Sequence, residues 1–435
     1  MTLSRKSFLK ISAGTAAFSM LQPGKAFSEF SKKEAPTIEK ITVLRVPGQF
    51  YRSIAMNAYD SRPKGQAGTT RLARIILSDG TYGLSVLGYT QFGGLDDKVK
   101  KGLKELIGTN PLAFYRWDGD TITGVADEYE SIISDVDYAF LETALLDVIG
   151  KIKQKPVWAL FGESQREGVD AYDGTLYFKD VELDTGPEII GELAHRIKED
   201  GYKAIKMKVG RPSKWMKGRK GLERDIESFI AAREAVGENY NLMTDANNGY
   251  GDHFEWGVEY LKATIPHDMY WMEELFPEDQ QRYAQLFKEL NASNYSVPIA
   301  EGENSIWSGN AAISKIEDYQ PWFDQKIVDY IQPDLRSVGF TNCMKIADMG
   351  HDANISLVPH NWQCEMGMIM NIHLGKAHPN VEWVEDDRYQ NFAIESSGYL
   401  LRDGKWYAPE EPGWGITLSD HYDRFKKIYQ ETVIS

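Results

Sequence analysis

The segment Ala204-Ile205-Lys206-Met207-Lys208-Val209 carries two lysines within an otherwise apolar run. From about Val169 onward, short apolar runs of this kind alternate with amphipathic helical segments, a pattern typical of parallel strands joined by helices. Residues two apart on a strand face the same side of its sheet. We therefore predict a buried strand that presents Lys206 and Lys208 on one face.

Further along the chain, a polar residue ends each predicted strand. Successive members of this set are 25 to 39 residues apart, the length of one strand-helix unit, and the set comprises Lys206, Asp245, Glu273, Glu303, Asp334, His360 and Glu385. In a (β/α)8 barrel of ~250 residues the carboxyl ends of all strands meet at one mouth, where active sites lie. The spacing therefore predicts an α/β fold with a (β/α)8-type barrel and one shared site.

The residues before the barrel follow a different pattern. Runs over 41–46, 72–77 and 82–86 are rich in β-forming residues, and helical periodicity then extends from about Leu95 to Leu160, most clearly over 139–150. Strands followed by helices predict an α+β domain. We predict this N-terminal domain over 38–165, the barrel over 166–395, and a C-terminal segment over 396–435 that packs back on the first domain.

Composition narrows the class of protein. The 435 residues carry a formal net charge of -15, which argues against a nucleic-acid-binding face. No apolar stretch reaches the roughly 18 residues that span a bilayer, so we expect no membrane span. The two cysteines, Cys343 and Cys364, exclude a disulfide framework. Two unpaired buried thiols are the favoured interpretation, with a single bridge as the alternative.

The N-terminus has the layout of an export signal. Basic residues within 4–10 precede a mildly apolar run from Ile11 to Leu21, and Ala26-Phe27-Ser28 offers small residues for cleavage. The segment resembles a twin-arginine signal in which Lys6 stands where a second arginine is usual. We expect residues 1–28 to direct export to the periplasm, with a disordered tail as the alternative.

Three of the strand-end residues are carboxylates on consecutive strands: Asp245, Glu273 and Glu303. Converging carboxylates repel one another and become partly protonated unless a cation is present. A few oxygen ligands with open positions favour Mg²⁺ over Ca²⁺. The sequence therefore predicts a magnesium site, with surface carboxylates as the alternative for each acid taken alone.

The remaining strand-end residues suit proton transfer. Two adjacent ammonium groups lower each other's pKa, so Lys206 and Lys208 are expected to supply a general base near neutral pH. Asp334 and His360 end neighbouring strands, and a carboxylate beside an imidazole orients the ring for acid–base work. Glu385 is then placed to hydrogen-bond a developing oxyanion.

These residues carry a resemblance to a known family. The chain resembles the mandelate racemase subgroup of the enolase superfamily from Ile38 onward. The matching segments are Lys206-Met207-Lys208, Asp245-Ala246-Asn247, Glu273-Glu274, Gly302-Glu303-Asn304, Pro333-Asp334, His360, Trp383-Val384-Glu385 and Pro412-Gly413-Trp414-Gly415. One departure is Leu275, which stands where the family often has proline.

The resemblance implies a role for each site residue. Asp245, Glu273 and Glu303 hold Mg²⁺, which binds a substrate carboxylate, and the family motif selects Glu273 over Glu274 as the ligand. Lys208, assisted by Lys206, acts on one face of the substrate, and His360 with Asp334 acts on the other. Glu385 binds the carboxylate oxygen that gains charge.

The resemblance also implies a capping function for the first domain. Its loops, expected at about 48–69 and 88–94, close the barrel mouth over a small carboxylate substrate. The substrate contacts expected from these loops and the metal site are Tyr51, Arg52, Tyr59 and Asn247. A homo-oligomer is a further implication of the resemblance.

The reaction outcome stays open between two enzyme classes and a binding protein. Removal of the α-proton followed by loss of a β-hydroxyl converts a sugar acid to a 2-keto-3-deoxy acid, the commonest outcome that the resemblance implies. The same two bases also suit a racemase, an epimerase or a cycloisomerase of an anhydro-sugar acid or lactone. A barrel that has lost catalysis and only binds its ligand is the remaining alternative.

Overall fold

An antiparallel sheet forms the centre of the N-terminal region in the computed structural model, which describes residues 35–303 and 316–435. Strands β1 (Ile38–Ile54), β2 (Gly65–Leu77) and β3 (Tyr82–Val86) pair in that order. The backbone N–H of Leu77 donates to the carbonyl of Thr81 at 2.8 Å and closes the turn between β2 and β3. The predicted strands and this turn are therefore present.

Helices and one hairpin complete this region. They are α1 (Asp97–Glu105), β4 (Tyr115–Asp118), β5 (Thr121–Val125), α2 (Glu130–Ile133) and α3 (Ala139–Lys153). Every residue of α3 from Ala139 to Gly150 is buried, because the helix packs between β3 and the C-terminal return of the chain. The expectation of continuous helical structure from Leu95 to Leu160 is wrong at β4 and β5, where the chain reverses at Gly119 with φ +57°.

Within the described ranges, eight parallel strands form the next sheet. They are β6 (Val169–Leu176), β7 (Ala204–Lys208), β8 (Asn241–Asp245), β9 (Met269–Glu273), β10 (Ile299–Glu301), β11 (Tyr330–Ile331), β12 (Ser356–Leu357) and β13 (Trp383–Asp386). Neighbours pair in chain order from β6 to β12, and β13 pairs with β6. An isolated parallel bridge joins Leu357 to Val381, just before β13. The strands therefore follow the circular order of a (β/α)8-type barrel.

Helices connect these strands and bury their apolar faces. They are α4 (Lys179–Leu183), α5 (Glu188–Glu199), α6 (Arg219–Val236), α7 (Phe254–Thr264), α8 (Gln280–Asn291), α9 (Gln320–Gln325), α10 (Leu335–Val338), α11 (Phe340–Ala353) and α12 (Glu365–Ala377). In α5, the helical spacing of Ile190, Ala194 and Ile197 places all three against the barrel.

The pleat of the barrel strands places the polar residues at the barrel mouth. An apolar layer fills the lower interior and consists of Tyr172, Ala204, Met243, Trp271, Ala300, Val358 and Trp383. Because alternate residues of a strand share a face, the next inward positions are polar. They include Lys206, Asp245, Glu273, His360 and Glu385, all of them buried.

The C-terminal segment joins both regions. It contains β14 (Tyr389–Asn391), β15 (Ile394–Glu395), β16 (Leu400–Arg402), β17 (Lys405–Tyr407), β18 (Thr417–Leu418), α13 (Tyr422–Ile428) and β19 (Thr432–Ile434). Strands β14 and β19 both pair with β1, so the return to the first sheet begins before the expected boundary at residue 396. The hairpin of β16 and β17 instead extends the barrel sheet, where β17 lies antiparallel to β6.

Three smaller predictions have separate outcomes. Cys343 and Cys364 are buried and unbonded, which confirms the prediction of two free thiols. Among the described residues, no helix has both the length and the apolar character that a membrane crossing requires. The predicted export signal over 1–28 and Asn304 of the family motif lie outside the described residues.

Candidate active site

The two lysines of β7 face carboxylates that other strands supply. The Lys206 Nζ lies 2.6 Å from Glu273 Oε1, 2.8 Å from Glu385 Oε1 and 3.6 Å from Asp245 Oδ2. Lys208 donates to the same Asp245 oxygen. Parallel pairing places Lys208 beside Asp245 and Asp245 beside Glu273, so β7, β8, β9 and β13 meet at one point.

The charge state of these lysines differs from the expectation. Burial disfavours an ammonium group, but the carboxylates of Glu273 and Glu385 hold the pKa of Lys206 well above its ordinary value. The pKa of Lys208 is also raised, because Asp245 outweighs both burial and the positive charge of Lys206. The prediction of a lysine with a lowered pKa is therefore wrong in this arrangement: Lys206 does act to lower the pKa of Lys208, but the carboxylate partners outweigh that effect.

A histidine and an aspartate lie together on the opposite side of the barrel. His360 Nδ1 lies 2.9 Å from Asp334 Oδ2, and a parallel bridge joins the two residues. His360 Nε2 lies 3.1 Å from Glu303 Oε1. Arg336 also pairs with Asp334, and together Arg336 and His360 hold the pKa of this carboxyl well below its ordinary value despite burial.

Glu385 lies between the lysine side and the histidine side. Its Oε1 accepts from Lys206, and its Oε2 accepts from the backbone N–H of Asn361 at 2.9 Å. Burial opposes ionisation, but the charges of Lys206 and His360 lower the pKa of Glu385. A Cβ at position 174 would lie 2.8 Å from Glu385 Oε1, so Gly174 is the residue that leaves room for this carboxylate.

Three further carboxyl groups lie near Asp245: those of Glu273 and Glu274 are buried, and that of Glu303 is 20% exposed. Burial and the neighbouring Asp245 raise the pKa of Glu273 to about 8, against the opposing charge of Lys206. Burial and the charge of Asp245 likewise raise the pKa of Glu274 to about 7. Burial, Glu274 and Asp245 raise the pKa of Glu303 well above its ordinary value. The site therefore holds more buried carboxyl groups than its amines can neutralise.

The donor chemistry of this cluster fits a hard cation. Asp245, Glu273 and Glu303 offer only oxygen, and a cation would relieve the charge repulsion that raises their neighbours' pKa values. Within residues 35–303 and 316–435, however, no three acidic, histidine or cysteine side chains stand in an arrangement that could hold a metal ion. The reason is that Asp245 and Glu273 turn to the lysines, while Glu303 turns to His360.

A cavity between the N-terminal region and the barrel mouth lies beside this cluster, and Glu303 is the member of the cluster that lines it. The barrel contributes Tyr177, Lys208, Asn247, Glu303, Arg336, His360, Trp362, Gln363 and Glu385. The N-terminal region contributes Tyr59, Lys64, Thr69, Thr70, Arg71, Val86, Leu87, Gly88 and Phe92. Lys208 and His360 therefore both line this cavity.

Two of the expected substrate contacts do not reach this cavity. Strand β1 continues to Ile54, so the capping loop spans only residues 55–64 instead of 48–69. Tyr51 is 63% exposed beneath the guanidinium of Arg388, and Arg52 forms ion pairs with Asp173 and Asp200. We therefore remove Tyr51 and Arg52 from the candidate site.

The other two expected contacts line the cavity. The Tyr59 side chain is half exposed at the mouth, and burial of its hydroxyl together with the charge of Glu303 raises the pKa of Tyr59. Asn247 donates its amide N–H to Glu274 Oε2 at 2.9 Å and its backbone N–H to Asp245 Oδ1 at 2.8 Å. Both residues therefore adjoin the acidic cluster.

Several cavity residues were not predicted from the sequence. Tyr177 immediately follows β6, Arg336 lies two residues after Asp334, and Trp362 and Gln363 lie two and three residues after His360. Extending the predicted strand ends at Asp334 and His360 by three residues would have found Arg336, Trp362 and Gln363, whereas Tyr177 follows a strand whose end was not predicted. Lys64 lies on the capping loop, where its Nζ donates to Asp60 at 2.9 Å and lies 5.0 Å from the centre of the Trp362 ring.

Comparison with known proteins agrees with this geometry. Residues 189–422 match the model of the family described as Enolase C-terminal domain-like. The chain belongs to the enolase superfamily. The predicted resemblance is thereby confirmed.

Three known proteins show how similar this enolase-superfamily chain is to individual relatives. Arabinonate dehydratase of Saccharolobus solfataricus is 31% identical over 285 residues, which cover 64% of this chain and 69% of the relative. The structure of galacturonate dehydratase from Geobacillus sp. superposes on this chain with a TM-score of 0.77 at 27% identity. The match covers 93% of this chain and 100% of the dehydratase chain. A mandelate racemase/muconate lactonizing protein from Geobacillus sp. Y412MC10, complexed with magnesium and tartrate, superposes with a TM-score of 0.75 at 27% identity. This match covers 91% of this chain and 95% of the other.

Proposed function

We propose that this protein is a magnesium-dependent sugar-acid dehydratase that removes the proton α to a carboxylate. The observation that carries the proposal is that Lys208 on β7 and His360 after β12 line one cavity together with Glu303 and Glu385. The dehydratase names of two relatives support loss of water as the outcome. The magnesium in a third, related structure supports the choice of cation.

The residues that would hold Mg²⁺ are Asp245, Glu273 and Glu303. When bound, the cation supplies Lewis-acid stabilisation of the negative charge that develops on a substrate carboxylate. The donor set is entirely oxygen, as Mg²⁺ prefers. Glu385 lines the cavity and is held by Lys206 and by the N–H of Asn361; to hydrogen-bond the substrate carboxylate it would have to take up a proton, which the charges of Lys206 and His360 oppose.

Lys208 is the proposed base. A base must be a neutral amine before it takes a proton, and in this geometry Asp245 favours the ammonium form. The charge of Lys206 acts in the opposite sense and lowers the pKa of Lys208. A positive charge that neutralises Asp245 leaves burial, together with the charge of Lys206, to lower the pKa of Lys208, and this shift favours the neutral amine.

His360 is the proposed acid. Asp334 is kept ionised by Arg336 and holds the Nδ1 side of the ring, so that Nε2 faces the cavity beside Glu303. A proton delivered from Nε2 to a β-hydroxyl would release it as water, and the remaining enol would become a 2-keto acid. The aromatic and cationic lining from Tyr59, Lys64 and Trp362 suits a hydroxylated anion.

Product analysis tests the proposal. The enzyme with Mg²⁺ is incubated with aldonic, aldaric and uronic acids, and 2-keto acid formation is measured. We expect turnover of at least one acid and a loss of roughly 100-fold or more in kcat for Lys208→Ala and for His360→Asn. Lys288→Ala, at an exposed position of α8, is the matched control and should retain full activity. Absence of any keto product from the whole panel would contradict the dehydratase assignment.

A racemase, epimerase or cycloisomerase is the second candidate. The observation in its favour is that two proton-transfer groups line the cavity from opposite sides of the barrel, on β7 and after β12. In heavy water such an enzyme would incorporate deuterium at the α-carbon without forming a keto acid. A dehydratase would form the keto acid under the same conditions.

A further inference from the structure

The capping loop, residues 55–64, is bonded to the barrel through its backbone carbonyls. Five consecutive carbonyls, from residue 55 to residue 59, accept hydrogen bonds. The donors, in order, are Lys64 N at 3.2 Å, Phe178 N at 3.0 Å, Trp215 Nε1 at 2.7 Å, Ser213 Oγ at 2.8 Å and Lys214 Nζ at 3.1 Å. Three of the five donors come from residues 213–215, which we call the clasp segment.

The clasp segment follows the strand that carries the proposed base. Gly210 lies between Lys208 and this segment and has φ +96°, a conformation that favours glycine. A Cβ at Gly210 would lie 2.7 Å from the Ala246 carbonyl and 3.2 Å from the Ala58 Cβ. The chain after β7, the turn after β8 and the capping loop therefore pack against one another at this point.

Asn57 connects the capping loop to the acidic cluster. Its side chain is fully buried and donates through Nδ2 to Asn247 Oδ1 at 2.8 Å. Its Oδ1 accepts from the backbone N–H groups of Tyr59 and Asp60 at 3.3 and 3.2 Å. Asn57 thus holds the shape of the loop with one end of its amide and reaches Asn247 with the other.

Asn247 holds two carboxyl groups in place. It bonds Asp245 through its backbone N–H and Glu274 through its side-chain amide. Asn247 and Glu274 have φ values of +43° and +45°, left-handed conformations that persist only where surrounding contacts fix them. The hydrogen bond from Asn57 is one of those contacts, because it satisfies the buried Asn247 Oδ1.

We propose that Asn57 is a positioning residue that couples docking of the capping loop to cation binding by Asp245. The proposal rests on the metal site of the proposed function. Through Asn247, Asn57 fixes the orientation of the Asp245 carboxylate, so a docked loop favours the cation. Because coupling between two equilibria is reciprocal, a bound cation must also favour the docked loop.

Calorimetric titration of the full-length protein with Mn²⁺ and with Mg²⁺, without substrate, tests the coupling. Asn57→Ala is expected to raise the Kd for the cation about tenfold, as is typical when a group that orients a metal ligand is lost. Asn57→Ser serves if the alanine variant fails to fold, since serine is too short to reach Asn247. Lys217→Ala is the matched control, because it changes an exposed residue just after the clasp segment and leaves Asn57 and Asn247 bonded, and its Kd should stay within about twofold.

Limited trypsin digestion after Lys64 gives a second readout that does not depend on activity. In the wild-type protein the cation should slow cleavage of the capping loop, whereas in Asn57→Ala cleavage should be equal with and without it. An unchanged Kd and unchanged protection in a folded Asn57→Ala protein would overturn this proposal and leave the metal site standing. A wild-type protein that binds neither cation would overturn the metal site, and this proposal with it.

Discussion

At the scale of single residues, the charge of Asp334 determines how His360 is held. Asp334 is fully buried yet ionised, because Arg336 bonds it from the same turn and His360 from the next strand. An asparagine at this position would keep the shape but remove the charge. The contact that orients the imidazole would then weaken.

We predict that Asp334→Asn lowers kcat for keto-acid formation by roughly 100-fold to 10,000-fold and changes KM little, since His360 is needed for proton transfer and not for binding. Steady-state kinetics on the best acid of the panel measures this. Asp324→Asn, at an exposed position of α9, should behave as wild type. A loss confined to KM would argue against the proposed acid.

For Lys64 we predict an effect on KM, in contrast to the effect on kcat predicted for Asp334. Its ammonium lies in the cavity beside Asp60, Tyr59 and Trp362, and burial lowers the pKa of Lys64. Lys64→Met should raise KM about 10-fold to 100-fold and change kcat less, because it removes attraction for an anionic substrate. Lys100→Met, on the surface of α1, is the control, and equal losses in kcat and KM would contradict a binding role.

The raised pKa values of Lys206 and Lys208 could not be predicted from the sequence, although their positions could. The strand-end rule found Lys206, Lys208 and Asp245 because strand period and unit length are local properties of the chain. It could not show that each lysine faces a carboxylate from another strand, and this pairing reverses the sign of the pKa shift. Which side chains face each other across a barrel depends on the order and register of its strands, and these are not local properties of the chain.

At the scale of elements, helix α3 packs closely on strand β3. A Cβ at Gly83 in β3 would lie 2.0 Å from the Ala144 carbonyl and 2.9 Å from the Val148 N. Both contacts are to backbone atoms of a fully buried helix, which cannot move aside alone. Glycine is therefore required in the middle of a strand, where its conformational freedom would otherwise be a disadvantage.

Gly83→Ala should destabilise the protein by about 1–3 kcal/mol or more, through separation of α3 from the first sheet. Urea unfolding followed by tryptophan fluorescence measures the change in the midpoint. Gly93→Ala is the matched control, since a Cβ there meets nothing within 4 Å. Equal midpoints for the two variants would contradict this account of the packing.

Strand β1 shows why the capping loop was expected at the wrong place. Pro47 and Gly48 are residues that usually mark loops, so the sequence pattern ended the strand there. In the structure, β1 continues because β2 pairs along it and because β14, from the far end of the chain, pairs at Gly48 and Phe50. No local pattern contains that second partner, and Tyr51 and Arg52 therefore lie on a strand instead of a loop.

At the scale of the whole molecule, one of the groups that link the N-terminal region to the barrel is a fully buried carboxyl group. Glu142 of α3 is fully buried and accepts from the backbone N–H groups of Phe340 and Thr341 at 2.7 and 2.8 Å. It therefore caps the start of α11 from outside the barrel. Burial raises the pKa of Glu142 to about 7.

This shift predicts a stability that falls with rising pH. For an acid whose pKa is raised on folding, the stabilising contribution is complete below the unfolded value of 4.5 and is lost as the pH rises through 7. Between pH 5 and pH 8 the wild-type protein should lose on the order of 2 to 3 kcal/mol from this group. Glu142→Gln should lack that component, so thermal melts of both proteins across this range test the assignment. Parallel pH profiles would refute it.

Removal of the cation should affect the entire molecule. The buried carboxyl groups of the site come from β8, β9 and the segment after β10, so a shared ligand ties these elements together. Treatment with a chelator should abolish keto-acid formation and lower the melting temperature by a few degrees, as expected for loss of a ligand at about 100 times its Kd. Added Mg²⁺ should restore both, and activity that survives exhaustive chelation would contradict the metal site.

The pairing of β1 with β14 and β19 has a consequence for how the chain folds. Ile41 pairs with Ile75 of β2 on one side and, 393 residues further along the chain (434 − 41), with Ile434 of β19 on the other. Contacts of such large sequence separation slow folding and leave strand edges open to wrong partners in the meantime. The N-terminal region can therefore reach its final form only after the barrel segment between its two halves has been made, and a chain that lacks β14 and β19 would leave one edge of β1 open to aggregation.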